Sequence, residues 1–169
     1  MFDIILATTK NGGIGLNGRM AWRCKKELTI FRKKTESGIL IVGRKTAQSL
    51  PKLENRMVIC VSKNPKLRTN TYKNVVRVFD TFESALAFAQ TIGKKIFIAG
   101  GAKLYNLVFS EFSNFIDTIH LSVMQKDYLT DVSVEFDQKK FLLETKYECD
   151  EFTHYTLIPG VTSERDYLI

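Results

Sequence analysis

Glu27 is the carboxylate whose neighbours in sequence make it a candidate for chemistry. It lies in the stretch 14–31, IGLNGRMAWRCKKELTIF, which opens in glycines, passes the only tryptophan, Trp22, and ends in a run with helical periodicity. Counted from Glu27, Leu28 and Phe31 share a helical face with it, with Ile30 close beside them. Lys25, Lys26, Arg32, Lys33 and Lys34 crowd the other side. A glutamate in a first turn is ordinarily explained by the helix dipole. An acid among apolar neighbours is costly, however, unless something meets it.

A second kind of chemistry is suggested where apolar runs break into glycine. GILIV at 38–42 enters Gly43 and then RKTAQSL; KIFIA at 95–99 enters Gly100 and Gly101 and then AKLYNLVF. Backbone N–H groups at such helix starts can hold an anion, and Arg44, Lys45 and Thr46 stand at the mouth of the first. In open α/β sheets ligands bind beyond the carboxyl ends of the strands. Three segments lie at such ends: 7–9, 43–46 and 99–103. Neither glycine junction is a GxGxxG fingerprint. Together with the basic residues they point to a dinucleotide or another phosphate-bearing ligand.

The elements that must carry these groups alternate. Strands are expected at 2–9, 38–42, 57–61, 74–79, 95–99 and 115–124, and helices at 24–35, after Gly43, at 82–91 and after Gly101. Asp80 or Thr81 caps the third helix. Residues 10–23, with four glycines, read as a mobile loop, 64–73 as a basic loop, and 142–150 with 153–159 as a long hairpin. This is an α/β fold, with a mostly parallel central sheet, an antiparallel C-terminal hairpin and flanking helices.

Composition narrows the class. The 169 residues are 44% hydrophobic and 25% charged, which suits one globular core. A net charge of +7 suggests an anionic partner, but the basic residues are dispersed, which argues for several local anion contacts over one nucleic-acid stripe. Cys24, Cys60 and Cys149 share no CxxC spacing, so zinc and a disulfide framework are not indicated and reduced thiols are the default. The N-terminal apolar run is too short for a signal peptide or membrane span. The expectation is a cytoplasmic protein with no metal and no membrane partner.

In this order and at these intervals, Ala7, Ile14-Gly15-Leu16-Asn17-Gly18, Met20, Trp22, Glu27, Phe31, Val42-Gly43-Arg44-Lys45-Thr46, Leu53, Arg56, Val61-Ser62, Ala99-Gly100-Gly101 and Tyr105 resemble the dihydrofolate reductase family. The resemblance runs from Phe2 to Pro159. It implies hydride transfer from NADPH to dihydrofolate, giving tetrahydrofolate. Glu27 would hold the pterin's donors bidentately, with Trp22 ordering solvent and Ser122 bonding the carboxylate. Ala7, Leu28, Ile30, Phe31, Arg32, Leu50 and Leu53 would wall the substrate, and Arg56 would pair with its α-carboxylate. Ala7, Ile14 and the backbone of Gly100 and Gly101 would meet the nicotinamide half of the cofactor, with Gly15, Asn17, Gly18, Arg19 and Met20 on a lid at 10–22. Lys45, Thr46 and the helix starting at Gly101 would take the pyrophosphate, with Lys103 placed for a phosphate contact and Gly43, Val61, Ala99, Ala102, Leu104 and Tyr105 completing the cofactor site. Arg44, Ser62 and Lys63 would surround the 2′-phosphate. The family's paired glycines are joined by a cis peptide.

Some residues depart from the family pattern. Ala21 replaces the usual proline before the tryptophan, Ala47 an aromatic, Glu54-Asn55 a Pro-Gly, and Ser122 a threonine. The acidic stretch 131–137 fits poorly. The tail 160–169 lies beyond the resemblance, either as a disordered end or as a linker to a fused partner such as thymidylate synthase; otherwise a monomer is expected. A pteridine or riboflavin-pathway reductase on the same fold is opposed by Glu27, Phe31 and Arg56 together. An RNA-binding module is opposed by the missing RNP pattern.

Overall fold

The structure, a computed structural model, describes residues 1–64 and 74–160. Most of the expected basic loop at 64–73 and the tail after Gly160 lie outside those residues. The elements in chain order are β1 (Phe2–Thr8), β2 (Gly13–Leu16), β3 (Arg19–Met20), α1 (Lys25–Thr35), β4 (Ile39–Gly43), α2 (Arg44–Ser49), β5 (Met57–Val61), β6 (Val75–Phe79), α3 (Phe82–Thr91), β7 (Ile96–Ile98), α4 (Ala102–Glu111), β8 (Ile116–Met124), β9 (Val132–Ser133), β10 (Phe141–Glu148) and β11 (Phe152–Pro159).

Eight strands form one sheet in the order β10-β11-β8-β1-β7-β4-β5-β6. The pairs from β8 to β6 are parallel, and β11 and β10 add an antiparallel edge. The expected architecture is therefore present, with β1 central and covered on both faces.

Alternation along the strands divides the core. Ile4 and Leu6 of β1, Ile39 and Ile41 of β4 and Ile59 of β5 join Phe82, Ala85, Val108 and Phe109 from α3 and α4 in one cluster. Ile5, Leu40, Val42, Val58, Cys60 and Phe97 form a second, against which Phe31, Leu50 and Leu53 pack partly buried. Ala47 is buried in this second cluster, where its small side chain lets α2 sit close to the sheet. Thr81 caps α3 by accepting the Ser84 N–H at 3.2 Å, choosing between the two expected caps.

Two expectations need correction. Residues 10–23 are not an open loop throughout: β3 pairs with β2, and β2 with β9, in a separate three-stranded antiparallel sheet. The acidic stretch at 131–137, which fitted poorly, supplies that third strand, and the Asp131 carboxylate accepts the Asn17 N–H at 2.9 Å. A glycine-rich hairpin is hard to recognise alone because its stabilising partner lies more than a hundred residues away. Gly13 is required there: a Cβ would stand 2.2 Å from the Thr130 hydroxyl.

Candidate active site

α1 starts after Cys24, which occupies the N-cap position without a side-chain cap bond. One turn in, the helix turns Glu27 inward; Glu27 and Thr35 are its only buried residues. The expected basic residues are all exposed on the outer side. Leu28, expected on the inner face, is 47% exposed. It sits one residue past the buried position, so it borders the site instead of joining the core, and Ile30 and Phe31 are half-buried.

The face of the sheet beneath Glu27 carries a polar strip. In register, Ala7 of β1 lies beside Ser122 of β8, and Ser122 beside His154 of β11. Burial pushes the Glu27 pKa upward, and a hydrogen bond with the Ser122 hydroxyl partly counters that rise. Ser122 Oγ also lies 2.9 Å from His154 Nδ1. His154 was not among the sequence candidates; the available signal was its alternation with Phe152 on a strand facing inward. Trp22 is buried against Tyr128, and its indole N–H has no hydrogen-bond partner among the described residues.

The glycine junctions meet at the carboxyl ends of the strands. Gly43 donates to the Gly100 carbonyl at 2.7 Å, and the Gly100–Gly101 peptide is cis. A Cβ on Gly101 would stand 3.2 Å from the Thr46 hydroxyl, so a side chain would crowd this approach. Tyr105, one turn into α4, donates its hydroxyl to the Ile5 carbonyl at 2.6 Å. Burial raises its pKa, and the Glu27 charge raises it further. α4 begins at Gly101 with no side-chain cap, leaving its first N–H groups available to an anion. Ala99, Ala102 and Leu104 line the junction, with Lys103 exposed at the helix start.

β4 and β5 are neighbours, with Gly43 opposite Val61. Arg44 and Ser62 therefore follow paired strand ends. Arg44 lies near enough to Cys60 to moderate the rise that burial imposes on that thiol, which reaches about 11. Arg44, Lys45 and Lys63 are exposed and Ser62 half-buried.

A cleft of about 520 Å³ opens between the small sheet and α2, lined by Asn17, Gly18, Arg19, Lys45, Gln48, Ser49 and Asp131. Gln48, Ser49 and Asp131 were not anticipated; a polar α2 face and the acidic segment were the only hints. Ile14 and Gly15 are buried behind this cleft, and Met20 is 55% exposed at its rim. Arg56 is farther away, bonded through Nε to Thr35 Oγ1 (2.8 Å), through Nη1 to the Glu54 carbonyl (2.7 Å) and through Nη2 to the Arg32 carbonyl. Two of its five N–H groups remain for a ligand. Its loop is shaped by Glu54-Asn55, with Asn55 at φ +58°. The exposed Arg32 contributes its backbone to holding Arg56. Leu50 and Leu53 are packed, partly buried, on the second core cluster.

Among the described residues no His, Cys, Asp and Glu group could hold a metal ion, and no helix is long and apolar enough to cross a membrane. A dinucleotide, by contrast, fits the observed groups: uncapped N–H groups, a glycine approach that a side chain would crowd, and exposed cations at paired strand ends.

Comparison with known proteins agrees. The family model described as dihydrofolate reductase matches residues 1–158. A dihydrofolate reductase of Mycoplasma genitalium is 34% identical over 154 residues, covering 90% of this chain and 94% of that protein. One of Candida albicans is 30% identical over 182 residues, covering 97% and 91%. A bifunctional dihydrofolate reductase–thymidylate synthase of Paramecium tetraurelia is 41% identical over 106 residues; the match covers 62% of this chain and 22% of that larger protein. The solved structure of Enterococcus faecalis dihydrofolate reductase, complexed with NADP(H) and RAB-propyl, superposes with a TM-score of 0.82 at 22% identity, covering 95% and 96%, and shows the same fold. The chain, with its buried acid and its double-glycine junction, belongs to the dihydrofolate reductase family.

Proposed function

We propose that this protein reduces 7,8-dihydrofolate to 5,6,7,8-tetrahydrofolate using NADPH, in the service of one-carbon and nucleotide synthesis. The observation that carries this reading is Glu27: a buried carboxylate on the inner face of α1, with the Ser122 hydroxyl near enough to hold down the rise that burial imposes on it. Such a group pairs with two adjacent donors of a flat heterocycle and holds the ring in one orientation. NADPH, when bound, supplies the hydride. Gly43, Thr46, Gly100, Gly101 and the start of α4 hold its central phosphates, and Arg44, Ser62 and Lys63 select its 2′-phosphate. Trp22 offers its buried N–H to water on the proton's route to the pterin, and Arg56 uses its two remaining N–H groups on the substrate's carboxylate. Loss of NADPH absorbance on adding dihydrofolate tests the activity directly; no loss, combined with tight RNA binding, would favour the basic binding module instead.

The chain acts as one domain through Pro159, in the cytoplasm, with the tail beyond it serving as a free end or a link to a synthase. The lid is β2–β3 with residues 10–22, steadied by β9. Ala21→Pro restricts φ at 21 and the conformation of Met20 before it. The expected outcome is slower product release with hydride transfer less affected. Single-turnover and steady-state rates measured together decide the point; if neither changes, stiffness at Ala21 does not govern the cycle.

A further inference from the structure

Ser122 has one hydroxyl proton and two claimants for it. Glu27 is one, and the other is His154 Nδ1, 2.9 Å away on the neighbouring strand. If Ser122 donates to the imidazole, the carboxylate loses its donor. We infer that His154 is a positioning residue for the reductase reaction: its Nδ1–H donates to Ser122 Oγ and thereby aims the Ser122 proton at Glu27. This rests on the reading of Glu27 as the carboxylate that grips the substrate.

The surroundings fix the direction. His154 is buried, and its Nε2 has no hydrogen-bond partner among the described residues. A neutral imidazole carries one N–H. Placed on Nε2, that N–H would be a buried donor without an acceptor, a rarer arrangement than a bare acceptor. Placed on Nδ1, it is used. His120 follows the same pattern: its Nε2 meets the Asp3 carboxylate at 2.8 Å and its Nδ1 has no partner among the described residues. The two rings stack with centroids 6.3 Å apart and planes 7° from parallel.

The groups facing His154 are Ser122 and His120 from β8, Tyr147 across from it on β10 and Lys34 from α1, with Glu27 beyond Ser122 and Asp3 and its partner Lys95 behind His120. Burial, His120 and Lys34 hold the His154 pKa down at about 4. Glu27 is displaced the other way, above its ordinary value. His154 therefore stays neutral while Glu27 titrates, and it acts by hydrogen-bond direction and not by charge.

His154→Phe removes the donor while keeping a flat apolar ring. Ser122 is then free to turn from Glu27, and the ionisation seen in the pH profile of kcat/KM should move up by about half to one pH unit. His154→Asn, whose amide N–H can occupy the place of Nδ1–H, should restore most of the wild-type profile. In a Ser122→Ala background, His154→Phe should add no further shift. An unchanged profile in His154→Phe, a full shift in His154→Asn, or an undiminished shift in the Ser122→Ala background would each overturn the inference. Nitrogen NMR of the wild-type protein with NADPH bound gives a readout that needs no variant. Nδ1–H on His154 supports the assignment, and Nε2–H refutes it whether or not dihydrofolate proves to be the substrate.

Discussion

Glu27→Gln is expected to lower kcat/KM at neutral pH by at least about tenfold while leaving the fold intact. The amide is nearly isosteric but lacks the charge, and a charge-assisted hydrogen bond is worth about 1.5–3 kcal/mol, where each 1.36 kcal/mol is a factor of ten. The loss should shrink in acid, where more substrate is already protonated. Stability should move the other way. Burial raises the Glu27 pKa, so the folded chain binds this proton more tightly than the unfolded one. Wild-type stability then falls as pH rises from the unfolded carboxyl value through the raised folded one, and the full cost of the buried charge is carried at neutral pH. The glutamine variant is free of that cost, so its Tm at pH 7 should equal or exceed wild type. Wild-type turnover in the variant would remove Glu27 from the reaction, and a drop in Tm alongside the lost activity would make its role structural.

The second large effect concerns cofactor choice. NADPH carries one phosphate more than NADH, with nearly two charges at neutral pH. β4 and β5 are adjacent and in register through Gly43 and Val61, so Arg44, Ser62 and Lys63 emerge side by side. Arginine offers a planar fork and lysine a point charge to one anion. Arg44→Ala with Lys63→Ala should weaken NADPH binding by roughly ten- to several-hundred-fold, given the modest strength of partly exposed ion pairs. NADH binding should barely change, and the NADPH penalty should shrink at high salt, where the attraction is already screened. Titration of both cofactors against wild type and the double variant measures this. Equal losses for NADH and NADPH would move the 2′-phosphate site elsewhere.

How much of this was legible in the sequence varied with the range of the interaction. The strand–glycine–helix junctions at 43 and 100–101 carry their signal locally, in a β-rich run followed by glycine, and both sit where the sequence placed them. Glu27 was legible because helical periodicity set it among apolar neighbours. Leu28 was misplaced because a 100° step per residue carries the next side chain to the rim of the buried stripe. The β2–β3–β9 sheet was missed because β3 and β9 are two residues each, too short for any periodicity, and owe their conformation to a distant partner. His154 was missed for a related reason. Its importance comes from the antiparallel register that sets it opposite Ser122, and no local pattern states a register.

The central place of β1 also governs how the protein can be made. The first strand to be synthesised is hydrogen-bonded on one side to β7 and on the other to β8, whose last partner is Val123. β4 and β5 can pair once residue 61 has emerged, but β1 must wait until residue 98 for β7 and residue 123 for β8, its unpaired backbone edges open to wrong partners meanwhile. Such long-range parallel pairing folds slowly. Amide protection followed during refolding should therefore appear in β4 and β5 before β1 and β8. Because Ser122 and His154 reach Glu27 only when β8 and β11 dock, enzymatic activity should be the last native property to emerge.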